Sequence, residues 1–593
     1  MRTQMDASNL ALLVPVSKHG KSRESYSTLQ QYFSASGCTV IFGLDEEDSA
    51  GRMALANEHV VTLMPGGALC ALWNDMALAA FSHGVDAVLM LGDDITVETS
   101  FKELVNEVLQ LLNAGWHCIS VSELIGGPSW PSFIATTSKH TCGPALHYDF
   151  IPKPFVNQEA DLYLFEKHRR CGVATHTSNI HLYNAIGGVE GGLKSPASAP
   201  RYMRKSIDWR KHLPRTATIR TIDICVPSVR ASVDCAKELL ALPYDPTYAD
   251  VRIVICFDGE HNLSQSTMSA MREYELSQPR LRVRVNQQNC GAPATRDRLF
   301  KESHSEWVLF IDDDVKPTKR LLNEYIEAIR ATSDDINGLL GVSTMPRDGR
   351  LWTDAVHLCG VTHFWHGAKL FGHLEPMPWT VSANVMLRHS NVTFDKRFPR
   401  SGGGEDIDFL IKSGAAHGKL LAVPGAEVEH PWRTTAWQMF ARMTEWAVGD
   451  GYLNFLYPEH RFFCPPTLPE ALLYFMPLAI LKKDLVLLLL PCIAEVVSQA
   501  IFLMVTYNDG WVLSSQRSKL RKAMISALAT IPLNASEIGH LIGHIKRLHI
   551  HLICTRFDFH LGFLGNAPKE EERKKRWAFV FLTFLLFVVR YLV

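Results

Sequence analysis

The stretch WVLFIDDDVKP, residues 307–317, decides the fold. Five apolar residues with aromatic and β-branched members read as a strand buried on both faces. Three adjacent carboxylates, Asp312, Asp313 and Asp314, follow at its carboxyl end. In open α/β sheets that edge is where ligands bind. Neighbouring carboxylates repel one another, so a cation is the natural compensation, and oxygen ligands suit Mg²⁺ or Mn²⁺ shared with substrate phosphates. A bare D-x-D is more often a solvated acidic turn; its place at the end of a buried strand is what points to a site.

Outward from this stretch the same pattern recurs. Strands are expected at 222–227 (IDICVP), 251–257 (VRIVICF) and 281–285, with helices at 231–240 and 294–302. Runs of this kind alternating with helical periodicity predict an α/β fold with a mainly parallel sheet. The amino-terminal part repeats the order, with strands at 10–16 (LALLVPV), 38–42 and 85–91 and a helix at 68–81. A Val-Pro pair ends the first strand of each part, at Pro15 and Pro227, and an acidic cluster follows a later strand, at Asp93-Asp94 and Asp312 to Asp314. Glu159 then precedes His181 much as Glu405 precedes His430. A duplicated α/β unit is expected. The segment 187–200 (GGVEGGLKSPASAP) has linker composition. The domains are read as 1–186, a linker at 187–215, a second α/β unit at 216–460, and a helical carboxyl-terminal region at 461–593.

The chain has 593 residues, 60 Lys and Arg against 61 Asp and Glu, 47% hydrophobic and 20% charged residues. That near-neutral balance excludes a global field for nucleic acid, and the apolar content excludes a largely disordered chain. Thirteen cysteines with no C-x-x-C pair read as reduced thiols. The first ten residues are polar and show no signal peptide, so a cytosolic side is expected for the α/β units. Within 461–593, the segments 471–507 and 577–593 are apolar; 485–507 reaches the roughly 20 residues a crossing needs. The basic run 569–576 (KEEERKKR) favours a cytosolic flank. Membrane attachment is expected, by spanning or by lying in the surface.

Further residues carry chemistry. Asp258, closing the strand before Gly259, is placed to accept hydrogen bonds from a nucleobase. Asn289, Gly291 and Arg296 open the next helix, where a flexible turn and a helix amino end suit phosphate or base. Gly402-Gly403-Gly404 brings backbone close before Glu405 and Asp406, and an acid there can take a proton from a hydroxyl. His430, in VEHPW, offers an imidazole as a further metal ligand. Each alone has an ordinary structural explanation: tight turn, helix cap or core histidine. Their order along successive strand ends is what a nucleotide pocket needs.

Together these residues resemble the inverting, family-two-type nucleotide-sugar glycosyltransferases of the GT-A fold. The resemblance is carried by CVPSVR at 225–230, CFDG at 256–259, NCGAPATRD at 289–297, VLFIDDDVKP at 308–317, SANVMLR at 382–388, FDKRFPRSGGGEDIDF at 394–409 and VEHPW at 428–432. It implies two tandem GT-A units, the first divergent, and a Mn²⁺- or Mg²⁺-dependent transfer from a nucleotide sugar, a UDP-sugar by family habit, to a glycan, lipid or protein hydroxyl. It implies donor contacts from Pro227, Asp258, Asn289, Gly291, Arg296, Asp312 and Asp313. The metal would be held by Asp314, with Asp312 and His430 beside it. Asp406 would be the base and Glu405 would orient the acceptor. The Q-x-x-R-W motif of processive members is absent, since Gln438 and Arg442 are misspaced and Met443 stands where tryptophan would.

In the first unit Asp93, Asp94, Glu159 and His181 form a possible second site, with Ala160 at the place of Asp406. A second active site would make a bifunctional enzyme; a degenerate copy would be a scaffold. The rivals to a transferase are a non-catalytic glycan- or nucleotide-binding scaffold and a nucleotidyltransferase. The latter needs a glycine-rich phosphate loop after the first strand, which Pro227-Ser228-Val229-Arg230 lacks.

Overall fold

The computed structural model describes residues 4–16, 23–46, 48–56, 58–63, 69–93, 95–124, 131–138, 151, 160–184, 219–230, 232–260, 264–333, 335–372, 377–432, 435–505 and 518–592. Asp94, Glu159 and the linker stretch 187–200 lie outside the described residues.

Two eight-stranded sheets form the α/β part. The first holds β1 (Leu10–Pro15), β2 (Thr39–Asp45), β3 (His59–Leu63), β4 (Ala87–Met90), β5 (Ile95–Val97), β6 (Cys118–Glu123), β7 (Ile134–Thr137) and β8 (Ala174–Asn184). The second holds β9 (Arg220–Ser228), β10 (Ala249–Asp258), β11 (Leu281–Asn286), β12 (Trp307–Ile311), β13 (Lys316–Pro317), β14 (Ile336–Thr344), β15 (Asn384–Arg388) and β16 (Lys419–Glu429). The spatial orders, β3-β2-β1-β4-β7-β6-β8-β5 and β11-β10-β9-β12-β15-β14-β16-β13, are the same order twice. The duplication read from Pro15 and Pro227 is thus present in the topology.

Each sheet is mainly parallel, six of its eight strands sharing one direction and two running against them. β11, β10, β9 and β12 run parallel, but β15 lies between β12 and β14 antiparallel to both, and β13 is antiparallel to β16. The short strands β13 and β15 gave no periodic signal strong enough to reveal that insertion. Each sheet is buried on both faces. Ile222, Ile224 and Val226 of β9 enter one core cluster while Cys225 enters the other, the period-two alternation of a strand covered on both sides.

Local chemistry sets the helix starts. The helix expected from 231 begins at Val233, because the Ser232 side chain caps the backbone N–H of Cys235. The helix expected from 294 begins at Ala292, after Gly291 with φ +89° and with Pro293 in its first turn.

The units join through their amino-end edges. Arg169, ending the helix Ala160–Arg169, donates to Ser305 Oγ at 2.8 Å and to the Asp250 carbonyl at 2.9 Å, and also pairs with the Asp250 carboxylate. Thr221 donates to Glu166, and Arg252 meets His176 at 2.8 Å. All lie at or near the amino ends of β8, β9, β10 and β12, so the first unit docks on the side of the second sheet opposite the carboxyl ends of its parallel strands.

Beyond β16 the helix Ala436–Leu456 crosses back over the second unit and packs on the helix Lys519–Lys546. Gly539 and Gly543 allow this close approach: a Cβ on Gly539 would lie 2.1 Å from the Thr444 carbonyl oxygen, and one on Gly543 would lie 2.4 Å from that of Val448. Helices Leu468–Lys482, Val486–Val505 and Ala567–Leu592 complete the region, with β17 (Arg461–Phe463) paired to β18 (Thr555–Phe557).

Candidate active site

A cleft of about 1340 Å³ opens at the carboxyl ends of β9, β10 and β12. It is lined by Pro227, Asp258, Asn289, Gly291, Arg296 and the three acids Asp312, Asp313 and Asp314, and on the far side by Glu405, Asp406 and His430. The second-unit residues singled out in the sequence therefore converge on one cavity. Among the described residues, none of the first unit lines it.

Arg296 organises the centre. Its Nη2 donates to Asp312 Oδ1 at 2.9 Å and its Nη1 to Glu405 Oε1 at 2.8 Å, with the guanidinium buried. One cation thereby ties the end of β12 to the start of the helix Glu405–His417. Burial raises the Asp312 carboxyl, but Arg296 foremost and His430 next hold it below its ordinary value. The Glu405 carboxylate also accepts from the Gly403 N–H. Both of its oxygens are thus engaged, which anchors the turn that carries Asp406.

Asp406 is differently placed. Oδ1 accepts from the Ile407 N–H at 2.9 Å and Oδ2 from the Ser382 N–H at 3.3 Å, both backbone amides. Burial, and then the Glu405 charge, push its carboxyl up to about 7 against the lowering effect of Arg296. A carboxyl with a pKa near working pH is suited to proton transfer. Its position depends on Gly402, Gly403 and Gly404, with φ of +88°, +122° and +84°, which other residues adopt only with strain.

Asp258 acts foremost as a staple. Its Oδ1 accepts from Cys290 N–H at 2.7 Å and Asn286 Nδ2 at 2.9 Å, and its Oδ2 from Gly291 N–H at 2.7 Å. This carboxylate shapes the loop that presents Asn289. Asp313 accepts from Ser228 Oγ at 2.6 Å and from Arg230 Nη2 at 2.8 Å, and burial pushes its carboxyl up. Arg230, which the sequence reading passed over except as a loop residue, also pairs with Asp314.

Asp312, Asp314 and His430 are a candidate metal centre, with ligand atoms within 4.8 Å of one another. The donor set of two carboxylates and an imidazole fits Mn²⁺ and, less fully, Mg²⁺. The histidine supports the fit. Its Nδ1–H donates to the Pro431 carbonyl at 2.9 Å, leaving the Nε2 lone pair facing Asp314 Oδ1 at 3.5 Å. Nε2 and the carboxylates of Asp312 and Asp314 thus bring their donor atoms to one place, as the ligands of a cation would. Trp365 packs its ring on His430 at 4.7 Å and lines the cleft with His363, whereas His366 is buried outside it.

Among the described residues of the first unit this constellation does not recur. Leu10 pairs with Ala87 as Ile222 pairs with Trp307, so Gly92 and Asp93 stand where Asp312 and Asp313 do. Val97 pairs with Leu182 as Pro317 pairs with Val428, which puts Asn184, not His181, level with His430. His181 instead meets Glu107, whose carboxyl is raised by burial but brought down to about 2 by His181 and by Ser178 and Asn179. The helices Leu69–Ser82 and Ala292–Glu302 end equally far before their strands, so buried Met76 takes the place of Arg296.

Much of the cleft's outer wall escaped the sequence reading. Trp446 and Asp450 come from the helix Ala436–Leu456, and Glu537, Arg556, Phe557, Lys569 and Arg576 from the carboxyl-terminal region. The four-residue spacing of Gly539 and Gly543 was the available signal for the packing that brings that wall in.

Residues 221–370 match the family described as Glycosyl transferase family 2. The match falls within the second α/β unit. No curated protein matches the chain. Among solved structures it is similar to S. aureus TarS 1–349 in complex with UDP-GlcNAc, at 16% identity and a TM-score of 0.26, over 39% of this chain and 66% of that one. It is similar to GalNAc-T7 with UDP, GalNAc and Mn²⁺, at 13% identity and a TM-score of 0.29, over 40% and 50%. It is also similar to the mannosyltransferase PcManGT from Pyrobaculum calidifontis with GDP-Man and Mn²⁺, at 13% identity and a TM-score of 0.34, over 58% and 93%. The match to TarS spans just under two thirds of that chain, and the match to GalNAc-T7 half.

Proposed function

We propose that the second unit is a metal-dependent, inverting glycosyltransferase that moves a sugar from a nucleotide-sugar donor, a UDP-sugar by resemblance, to a hydroxyl acceptor. The observation that carries this is the single cleft that holds both the Asp312–Asp314–His430 cluster and Asp406, with Arg296 bridging the two sides. Asp258, by fixing the loop of Asn289, shapes the base end. Arg296 keeps the end of β12 and the Glu405–Asp406 turn at fixed separation. Asp406 receives the acceptor hydroxyl's proton as the oxygen attacks the anomeric carbon from the face opposite the leaving diphosphate. A divalent metal at the acid–histidine cluster would supply Lewis-acid stabilisation to that leaving group. Most of the rate gain is then positioning and charge stabilisation.

The first unit serves as a scaffold in this reading, since Met76, Gly92 and Asn184 stand at the places of Arg296, Asp312 and His430. Attachment to a lipid surface completes the proposal, with the α/β units on the cytosolic side. Its support is the exposed apolar face of three helices: Tyr474, Ile480 and Leu481 on the first, Leu489, Ile493 and Ile501 on the second, Phe581 and Phe584 on the third. The inward side of Val486–Val505 carries Glu495 and Gln499, both buried, with Glu495 3.4 Å from Arg576. A helix with one polar, protein-facing side suits lying against the bilayer.

The test is product stereochemistry. Proton NMR of the first product formed from an α-linked donor is expected to show a β-linked sugar, with no product from Asp406→Asn. An α-linked product would refute inversion.

A further inference from the structure

The search outside the donor site leads to the outer half of the cleft, where the carboxyl-terminal region forms the wall. Gly449 abuts Gly403 so closely that a Cβ on it would lie 1.8 Å from the Gly403 carbonyl oxygen. This contact fixes the next residue, Asp450, beside the turn that carries Asp406, and both line the cavity. The cations of that wall are matched within the protein. Arg556 donates to Glu470 at 3.1 Å and to Glu537 at 2.7 Å. Arg576 donates to Glu537 at 2.8 Å, and Lys569 lies 3.1 Å from Asp558. Asp450 differs: it makes no hydrogen bond and no ion pair with the described residues. Asp450 is half-buried and lines the cleft, so its carboxyl is open to a ligand seated there.

We infer that Asp450 is an acceptor-binding residue and that the acceptor is an uncharged, hydroxyl-rich glycan, seated against the helix Ala436–Leu456 with one hydroxyl on Asp450 and its neighbour at Asp406. Asp406, Asp450 and Glu537 crowd this end with acids, whose charge disfavours an anionic acceptor beside them. Burial first, then Glu537 and Asp406, pushes the Asp450 carboxyl well above its ordinary value. A neutral carboxyl both donates and accepts, as a sugar hydroxyl does. The inference rests on the transferase reading above and adds to it the acceptor's class and the residue that holds it.

The experiment measures nucleoside diphosphate release from the preferred nucleotide sugar with Mn²⁺, using the full chain in detergent. Maltohexaose, cellohexaose and chitohexaose are compared with polyprenyl phosphate as acceptors, and titration of nucleoside diphosphate with Mn²⁺ reads the donor site separately. A neutral oligosaccharide is expected to stimulate release. Asp450→Ala should raise the KM for that oligosaccharide roughly ten- to a hundredfold, as for loss of a hydrogen bond to a buried polar group, with nucleoside diphosphate affinity unchanged. Asp450→Asn, which keeps a donor and an acceptor, should recover most of the loss. An unchanged KM in Asp450→Ala overturns the inference. So does stimulation by polyprenyl phosphate alone, or by none of the four while nucleoside diphosphate still binds. Absence of nucleoside diphosphate binding by the wild type overturns the transferase reading beneath it, and this inference with it.

Discussion

Gly403 and Gly449 stand backbone to backbone, one in the turn that presents Asp406, the other in the helix Ala436–Leu456 that walls the cleft. The turn that carries Asp406 is thereby set by a helix that follows it in sequence, and the geometry leaves no room for a side chain on either residue.

Gly449→Ala is therefore expected to push the Gly403 turn away. The cost in stability should be about 1–3 kcal/mol, as for overpacking of a filled site. Because Asp406 moves with the turn, kcat should fall by more than tenfold while the affinity for nucleoside diphosphate with Mn²⁺ is kept. Thermal unfolding and steady-state kinetics on the same preparation check this; equal losses in kcat and donor affinity would mean that the turn does not act through Asp406.

The acid limb of activity should report Asp406. With its carboxyl pushed up to about 7, and the deprotonated form being the base, kcat/KM is expected to rise with pH through that region and level off above it. Glu405→Gln removes the like charge that helps raise it, so the limb should move to lower pH. A limb that stays in place in Glu405→Gln would assign the titration to another group.

His181 is expected to matter for stability and not for transfer. Glu107 has its folded-state value depressed to about 2, so the pair contributes stability that is present above the unfolded carboxyl value of about 4.5 and is lost as pH falls towards 2. Urea unfolding of Glu107→Gln against wild type should show a difference of about 1–3 kcal/mol at pH 7 that shrinks below pH 4.5. Loss of turnover in His181→Ala with folding intact would restore a second site to the first unit.

Membrane attachment is tested by flotation with vesicles of phosphatidylcholine and phosphatidylglycerol. Wild type should float, and Phe581→Asp with Phe584→Asp should reduce the floating fraction severalfold, since both rings are exposed on the last helix and charge is poorly tolerated in the interface.

The strands were legible because a doubly buried strand such as 307–311 is a continuous apolar run, and the acids were legible as a site because they stand at the end of that run. The convergence of Asp258, Asp312, Asp406 and His430 could be anticipated from their order alone. Other features depended on pairings the sequence does not print. Register, not spacing, put Asn184 and not His181 level with His430. The engagement of Glu405 by Arg296 needed a contact across 109 residues. The outer wall needed the close packing of two glycine-bearing helices whose apolar faces look like any other.

The central claim is one metal-dependent transferase site, in the second unit. The most direct test is Mn²⁺-dependent release of nucleoside diphosphate from a panel of nucleotide sugars by wild type, Asp314→Asn and Asp94→Asn. The expected result is turnover of one donor by wild type and Asp94→Asn, lost by at least a hundredfold in Asp314→Asn. Turnover that survives in Asp314→Asn, or a different donor's turnover lost in Asp94→Asn, would contradict it.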